Sequence, residues 1–232
     1  QASAWVSPLR HMQDGADASG LGDLGSLILE RYRVTGEALG QGGFCVVRQA
    51  ACESSGRKVA VKTYRPQTLR SLGPEALAAR FAREVAFFQQ LGVGPESASG
   101  APDAAVEEGA QMANSVEETL RSSGAKWCGT RQLFVNLLGF SADAVTGEPA
   151  LAPSGLFYTV FELGTDSLDL WLQRRAADRG ASSAEHGLAL LVVAQAVAAG
   201  LSELHQRGLV HLDVKPENVM RFGDFWKLID LE

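Results

Sequence analysis

The run His211-Leu212-Asp213-Val214-Lys215-Pro216-Glu217-Asn218 holds a carboxylate, an ammonium and a carboxamide within eight residues, with Lys215 two and Asn218 five positions after Asp213. Phosphoryl transfer from a nucleotide uses these three groups. The carboxylate accepts or orients the proton of an attacking hydroxyl, the ammonium neutralises charge on the moving phosphoryl group, and the amide oxygen holds a magnesium ion. A surface ion-pair loop can carry the same residue types, but rarely in this order.

Four further places carry chemistry of the same kind. Leu39-Gly40-Gln41-Gly42-Gly43-Phe44-Cys45-Val46-Val47 is rich in glycine, which lets backbone N–H groups approach phosphate with no side chain in the way. Taken alone it is equally a glycine-rich hairpin. A dinucleotide-binding fold would need the glycines to open a helix, whereas these open a β-type run. Lys62 ends the apolar run Val59-Ala60-Val61, where a lysine either snorkels to solvent or meets an anion. Glu84 precedes Val85 on a helical pattern; it is either a solvent-face glutamate or an inward partner for Lys62. Asp230 follows Leu228-Ile229, twelve residues after Asn218. It is either a turn former or, across a hairpin, a second magnesium ligand beside Asn218.

The elements that must position these groups are legible as patterns. Arg33 to Leu39 and Phe44 to Ala51 read as strands flanking the glycines, and Lys58 to Thr63 as a third after a Ser54-Ser55-Gly56 turn. Pro74 opens a helix whose apolar positions Leu77, Phe81, Val85 and Phe88 recur at helical spacing, with Gly92 as its stop. Leu133 to Phe140 and Leu156 to Leu163 read as two more strands, and Leu168 to Ala177 as a short helix. Glu185 to Gln206 is apolar nearly all round, which predicts a buried core helix ended by Gly208. Val219 to Phe222 and Phe225 to Ile229 flank Gly223-Asp224, a two-residue hairpin turn. Residues 1 to about 29 read as a tail with a short apolar anchor at Leu27-Ile28-Leu29. Residues 93 to 130, mostly Gly, Ala, Ser, Glu and Pro, read as a disordered insertion in which Trp127 and Cys128 have no assigned role. Strands with one helix come first and helices afterwards, which predicts two lobes joined by a hinge near Glu162 to Asp166.

Bulk properties narrow the class. A chain of 232 residues, 46% hydrophobic and 21% charged, has the composition of a globular protein with one large core or two small ones. A net charge of -6 argues against a general nucleic-acid binder. Cys45, Cys52 and Cys128 have no metal-ligand spacing and are odd in number, which favours a reducing, cytoplasmic compartment over a disulfide framework. The longest apolar stretch, Leu188 to Leu201, is interrupted by Gln195 and Gly200, short of the roughly 18 apolar residues of a membrane span. The chain opens on Gln1 rather than Met, consistent with loss of an upstream peptide, and stops straight after a strand-like run, an unusual place for a domain to end.

Taken in order along the chain, the glycine run, Val59-Ala60-Val61-Lys62, Glu84, His211 to Asn218 and Leu228-Ile229-Asp230 resemble the eukaryotic protein kinase family over roughly residues 30 to 232, the insertion excepted. Lys215-Pro216-Glu217 is similar to the serine/threonine branch. The resemblance implies an α+β, two-lobed protein-kinase-like fold: a tail at 1–29, a β-rich N-lobe with one helix at 30–163, and a partial helical C-lobe at 164–232. It implies Mg-ATP as phosphoryl donor and a protein bearing serine or threonine as acceptor. Lys62 becomes the phosphate-anchoring lysine and Glu84 its helix partner, Asp213 the catalytic base, Lys215 a γ-phosphate contact, and Asn218 and Asp230 the metal ligands. Gly40 and Gly42 would border the phosphates. Leu39, Val47, Ala60 and Met220 would sandwich the adenine, Phe161 would guard the back of its pocket, and Glu162 and Gly164 would offer it backbone hydrogen bonds. The chain departs from the family pattern at Cys45 (usually the third glycine), at Leu212 (usually an arginine) and at Leu231-Glu232 (usually Phe-Gly), and the expected activation loop and peptide-binding floor do not follow. These departures leave a pseudokinase, a binding or scaffolding module without turnover, as the alternative. A small-molecule kinase of the same fold is a further rival, opposed by the Pro216-Glu217 pair.

Overall fold

The computed structural model describes residues 25–42, 44–64, 73–95, 130–177 and 183–231. They form a mixed α+β structure. Six antiparallel strands make one curled sheet: β1 (Leu27–Ile28), β2 (Tyr32–Gln41), β3 (Cys45–Cys52), β4 (Lys58–Tyr64), β5 (Leu137–Phe140) and β6 (Tyr158–Glu162), in the order β1-β2-β3-β4-β6-β5. Three α-helices, α1 (Pro74–Gln90), α2 (Leu168–Ala177) and α3 (Ser183–Gln206), two short 3-10 turns (Thr130–Gln132 and Pro216–Asn218) and a hairpin of β7 (Val219–Phe222) and β8 (Phe225–Leu228) complete the described residues.

Alternation along the strands decides what each face of the sheet meets. On β4, Val59 and Val61 point to one face, where they pack with Val34, Ala50, Cys52, Tyr158 and Val160. Ala60 and Tyr64 point to the other, where they pack with Val47, Phe161 and the apolar stripe Leu77, Phe81, Val85 and Phe88 of α1. Lys62 lies between Ala60 and Tyr64 on this second face, so period two aims a charged group at the helix-covered side. Pro74 starts α1 because its missing N–H is an orphan there anyway, and Gly92, at φ 71°, takes the chain out of it.

The segment after the first helix joins the sheet to the hairpin. The Val135 N–H donates to the Leu228 carbonyl at 3.1 Å and the Leu228 N–H to the Leu133 carbonyl at 2.9 Å. Leu133 to Val135, within the first half of the strand expected over Leu133 to Phe140, therefore turn aside to pair with Leu228 of β8, while Asn136 bonds to Glu162 of β6 and the strand begins at Leu137. Two further boundaries move. Leu27–Ile28 pair with β2, so the sheet begins inside the stretch read as a tail. Val93 is buried, and its carbonyl accepts from the Leu137 N–H at 2.9 Å, so the fold extends past the expected start of the insertion. Trp127 and Cys128 lie outside the described residues.

The expectation of a helix buried all round does not hold for α3. Val193, Ala196, Gly200 and Leu204 form one buried stripe, while Leu190 and Leu191 are exposed. A single stripe is buried because α3 packs along one line, against β8 and Phe134. Among the described residues α3 is the one helix that length and composition would allow to cross a membrane, over Gly187–Gln206 at a mean hydropathy of 1.8. Its stripe packs instead into the protein core.

Candidate functional site

Lys62 is the meeting point of three distant stretches. Its Nζ donates to Glu84 Oε1 on α1 at 2.9 Å and to Asp230 Oδ1, just beyond β8, at 3.3 Å. Glu84 thus turns inward, and it is buried with Lys62. Burial alone would push the Lys62 ammonium down. The carboxylates of Glu84 and Asp230 outweigh it and hold this lysine well above its ordinary value, so it stays charged. Its charge is therefore fixed in place by β4, α1 and the end of β8 together.

The second oxygen of Glu84 has its own partner. Tyr64 Oη donates to Glu84 Oε2 at 2.6 Å. Tyr64 comes two residues after Lys62 on the same strand face, a placement that period two makes available but no motif marks.

Asp213 and its neighbours form the second half of the site. Lys215 Nζ donates to Asp213 Oδ2 at 2.5 Å, and Asn218 Nδ2 donates to the same oxygen at 3.0 Å and to the Asp213 carbonyl at 2.9 Å. The hydrogen bond from Lys215 is the main cause that holds the Asp213 carboxyl below the ordinary carboxylate range, against the opposing effect of burial. Such a group is ionised at neutral pH and half open to solvent, suited to orient an incoming hydroxyl. His211, buried beneath the loop, fixes it from behind. The Asp213 N–H donates to His211 Nδ1 at 3.3 Å, so Nε2 carries the ring proton and donates to the Ile229 carbonyl at 3.1 Å. Burial keeps His211 below its usual pKa, in keeping with a neutral ring that accepts at Nδ1.

The hairpin brings Asn218 and Asp230 back together. Val219 pairs with Leu228, and the Ile229 N–H donates to the Asn218 carbonyl at 3.0 Å. Asp230 follows with φ 58°, a left-handed backbone that aspartate tolerates better than most residues. With the Asn218 amide nitrogen bonded to Asp213, its side-chain oxygen is the atom left for a cation. Together with the Asp230 carboxylate this is an oxygen donor set of the kind a hard divalent cation uses. Among the described residues no group of three or more His, Cys, Asp or Glu side chains converges on one point.

The residues expected around a purine sit close to one another. Val47, Ala60, Phe161 and Met220 belong to one buried cluster, with Leu39 half-buried against it. Gly40 faces Val47 across the β2–β3 ladder, and the Gly42 N–H donates to the Cys45 carbonyl at 2.9 Å, closing the turn between those strands. Gly164 is glycine for a steric reason: a Cβ there would lie 2.4 Å from Met220 Sδ. The Glu162 N–H is taken by the Asn136 carbonyl at 3.1 Å. Its side chain accepts from Lys227 Nζ at 2.5 Å and from Asn136 Nδ2 at 2.7 Å. Neither Lys227 nor Asn136 was distinguishable in the sequence, because nothing local marks a lysine on a hairpin as the partner of a glutamate 65 positions earlier.

No protein-family model matches the chain, and no curated protein matches it.

Proposed function

We propose that this protein is a serine/threonine protein kinase that transfers the γ-phosphoryl group of Mg-ATP to a protein hydroxyl. In this reading the six-stranded sheet with α1 is the N-lobe, from about residue 30 to 163. The helices α2 and α3 with the β7–β8 hairpin belong to the C-lobe, and the crossing at Glu162 to Asp166 is the hinge. The observation that carries the reading is the buried Lys62–Glu84 ion pair, shared with Asp230. A buried ion pair is weak evidence for stability, since desolvation offsets most of the attraction. Here it holds a cation beside a half-exposed carboxylate, and His211 ties the Asp213 loop to the Ile229 carbonyl next to that carboxylate. That suits a polyanion with a metal ion better than it suits core packing.

Each group then has a task. Lys62 neutralises phosphate charge, and Glu84 keeps it from swinging away. Asp213 orients the acceptor hydroxyl, and Lys215 leaves Asp213 to meet the moving phosphoryl group. Asn218 and Asp230 would hold magnesium, which neutralises charge on the phosphates when bound. Leu39, Val47, Ala60 and Met220 would enclose the base under Phe161, with Gly164 and the carbonyl of Glu162 offering it hydrogen bonds. Fixed charge and positioning supply most of the rate in such a site.

The alternative reading is a pseudokinase. Its support is Leu212, which is 83% exposed and offers no charge where the family usually has an arginine.

Calorimetric titration tests the nucleotide reading directly. Lys62→Met is expected to weaken Mg-ATP binding by about 1.5–3 kcal/mol, the scale of a charged hydrogen bond. Lys62→Arg, which keeps the charge, is expected to lose less. Equal affinities in wild type and both variants, with folding checked by circular dichroism, would remove Lys62 from the nucleotide site.

A further inference from the structure

Tyr64 contacts both members of the Lys62–Glu84 pair that the nucleotide reading depends on. Its hydroxyl donates to Glu84 Oε2 at 2.6 Å, while Lys62 holds Glu84 Oε1 at 2.9 Å. The two oxygens of one buried carboxylate thus have one donor each, both from β4. The Lys62 ammonium also sits 5.9 Å from the centre of the Tyr64 ring, within the range of a cation–π contact.

The ring itself is locked. It meets Phe81 edge-on at 6.2 Å and 88°, and Phe157 edge-on at 6.5 Å and 83°. Phe81 is on α1 one turn before Glu84, so Tyr64 grips the helix twice, by its ring and by its hydroxyl. Tyr64 is 2% exposed, and water cannot replace its hydroxyl without entering the core. A glutamate held by Lys62 alone could pivot about that single bond; held at both oxygens it cannot.

We infer that Tyr64 is a positioning residue that fixes Glu84, and through it the Lys62 ammonium, in the geometry that receives nucleotide phosphate. The inference rests on the nucleotide reading for its consequence, but not for the contact itself. Tyr64→Phe keeps the ring and removes only the hydroxyl, leaving Glu84 Oε2 buried without its donor.

Mg-ATP is titrated into wild type, Tyr64→Phe, Glu84→Ala and the double variant. Tyr64→Phe is expected to weaken binding about fivefold or more, on the scale of one lost hydrogen bond to a charged group. In the Glu84→Ala background the same change is expected to shift affinity less than about twofold, because no carboxylate remains to be held. Equal losses in both backgrounds would overturn the inference and make Tyr64 a packing residue. A wild type that binds no Mg-ATP breaks the nucleotide reading instead, and the positioning is then decided by amide hydrogen exchange. Tyr64→Phe must speed exchange around residues 81–88 of α1 while leaving β5 and β6 unchanged. Unaltered exchange there overturns the inference even if Glu84→Ala fails to fold.

Discussion

Burial and hydrogen bonding act on Cys52 in opposite directions. Burial in the sheet would raise its pKa, but Ser54, Ser55 and Arg31 bring it down from 9.0 to about 6. Ser54 Oγ lies 3.2 Å from the sulfur, and Arg31 Nε donates to it at 3.4 Å. The unfolded thiol keeps its proton until near pH 9, whereas the folded one loses it near pH 6, so unfolding between these values takes up a proton. The stability that Cys52 contributes is therefore fully present above about pH 9 and is lost as pH falls toward 6. Thermal unfolding across this range is expected to show a rise with pH in wild type that is smaller in Cys52→Ser. Parallel pH profiles for the two proteins would mean that the hydrogen bonds do not hold the thiolate. The same reasoning from contacts, applied to Lys62 and Asp213, leaves both charged at neutral pH.

At the scale of elements, α3 depends on how closely it can approach β8. A Cβ on Gly200 would come within 2.8 Å of Leu228 Cδ1 and 3.7 Å of Phe134 Cε1. Glycine costs helix propensity at this position, and the close crossing explains why it is there. Gly200→Val forces the helix off β8, and overpacking of this kind costs about 1–3 kcal/mol. Gly187, on the same helix with nothing within 4 Å of its would-be Cβ, is the control. Gly187→Ala is expected to stabilise slightly, by up to about 1 kcal/mol from propensity. Urea unfolding distinguishes the two, and a Gly200→Val protein as stable as wild type would show that the crossing is loose. The hairpin pinned by α3 carries Asp230 at its end, so a shift of this crossing reaches the site.

The whole molecule assembles its site from β4, α1, the loop after Val210 and the end of β8, and in the kinase reading these parts divide the work. Lys62, Glu84 and Asp230 hold the nucleotide and its metal, while Asp213 acts on the acceptor. Asp213→Asn in the full-length protein is therefore expected to lower phosphoryl transfer to protein by roughly 10²–10⁴-fold. Mg-ATP affinity should stay within a few-fold, because Asp213 does not bond to Lys62 and the amide oxygen of the replacement side chain can still accept from Asn218 Nδ2, leaving the Asn218 oxygen to the metal. Radiolabelled ATP with a generic basic-protein acceptor reports the first quantity and calorimetry the second. A wild-type full-length protein that binds Mg-ATP yet labels no acceptor would make the pseudokinase reading the correct one.

Local patterns in the sequence determined the elements and their inner faces. Period two along β4 placed Ala60, Lys62 and Tyr64 on one face, and helical spacing from Leu77 to Phe88 set the buried stripe of α1. Gly223-Asp224 fixed the hairpin that returns Asp230 to Asn218. These features depend on sterics and burial among near neighbours, which a linear pattern carries. Only the tertiary structure decided that Glu84 turns inward, that Lys62 meets Asp230 across 168 residues, and that Tyr64 and Lys227 are partners of Glu84 and Glu162. It also decided that Leu133 to Val135 pair with β8 and that α3 buries only one stripe. Long-range pairing depends on where packing brings whole elements to rest, and no residue's immediate neighbours record that.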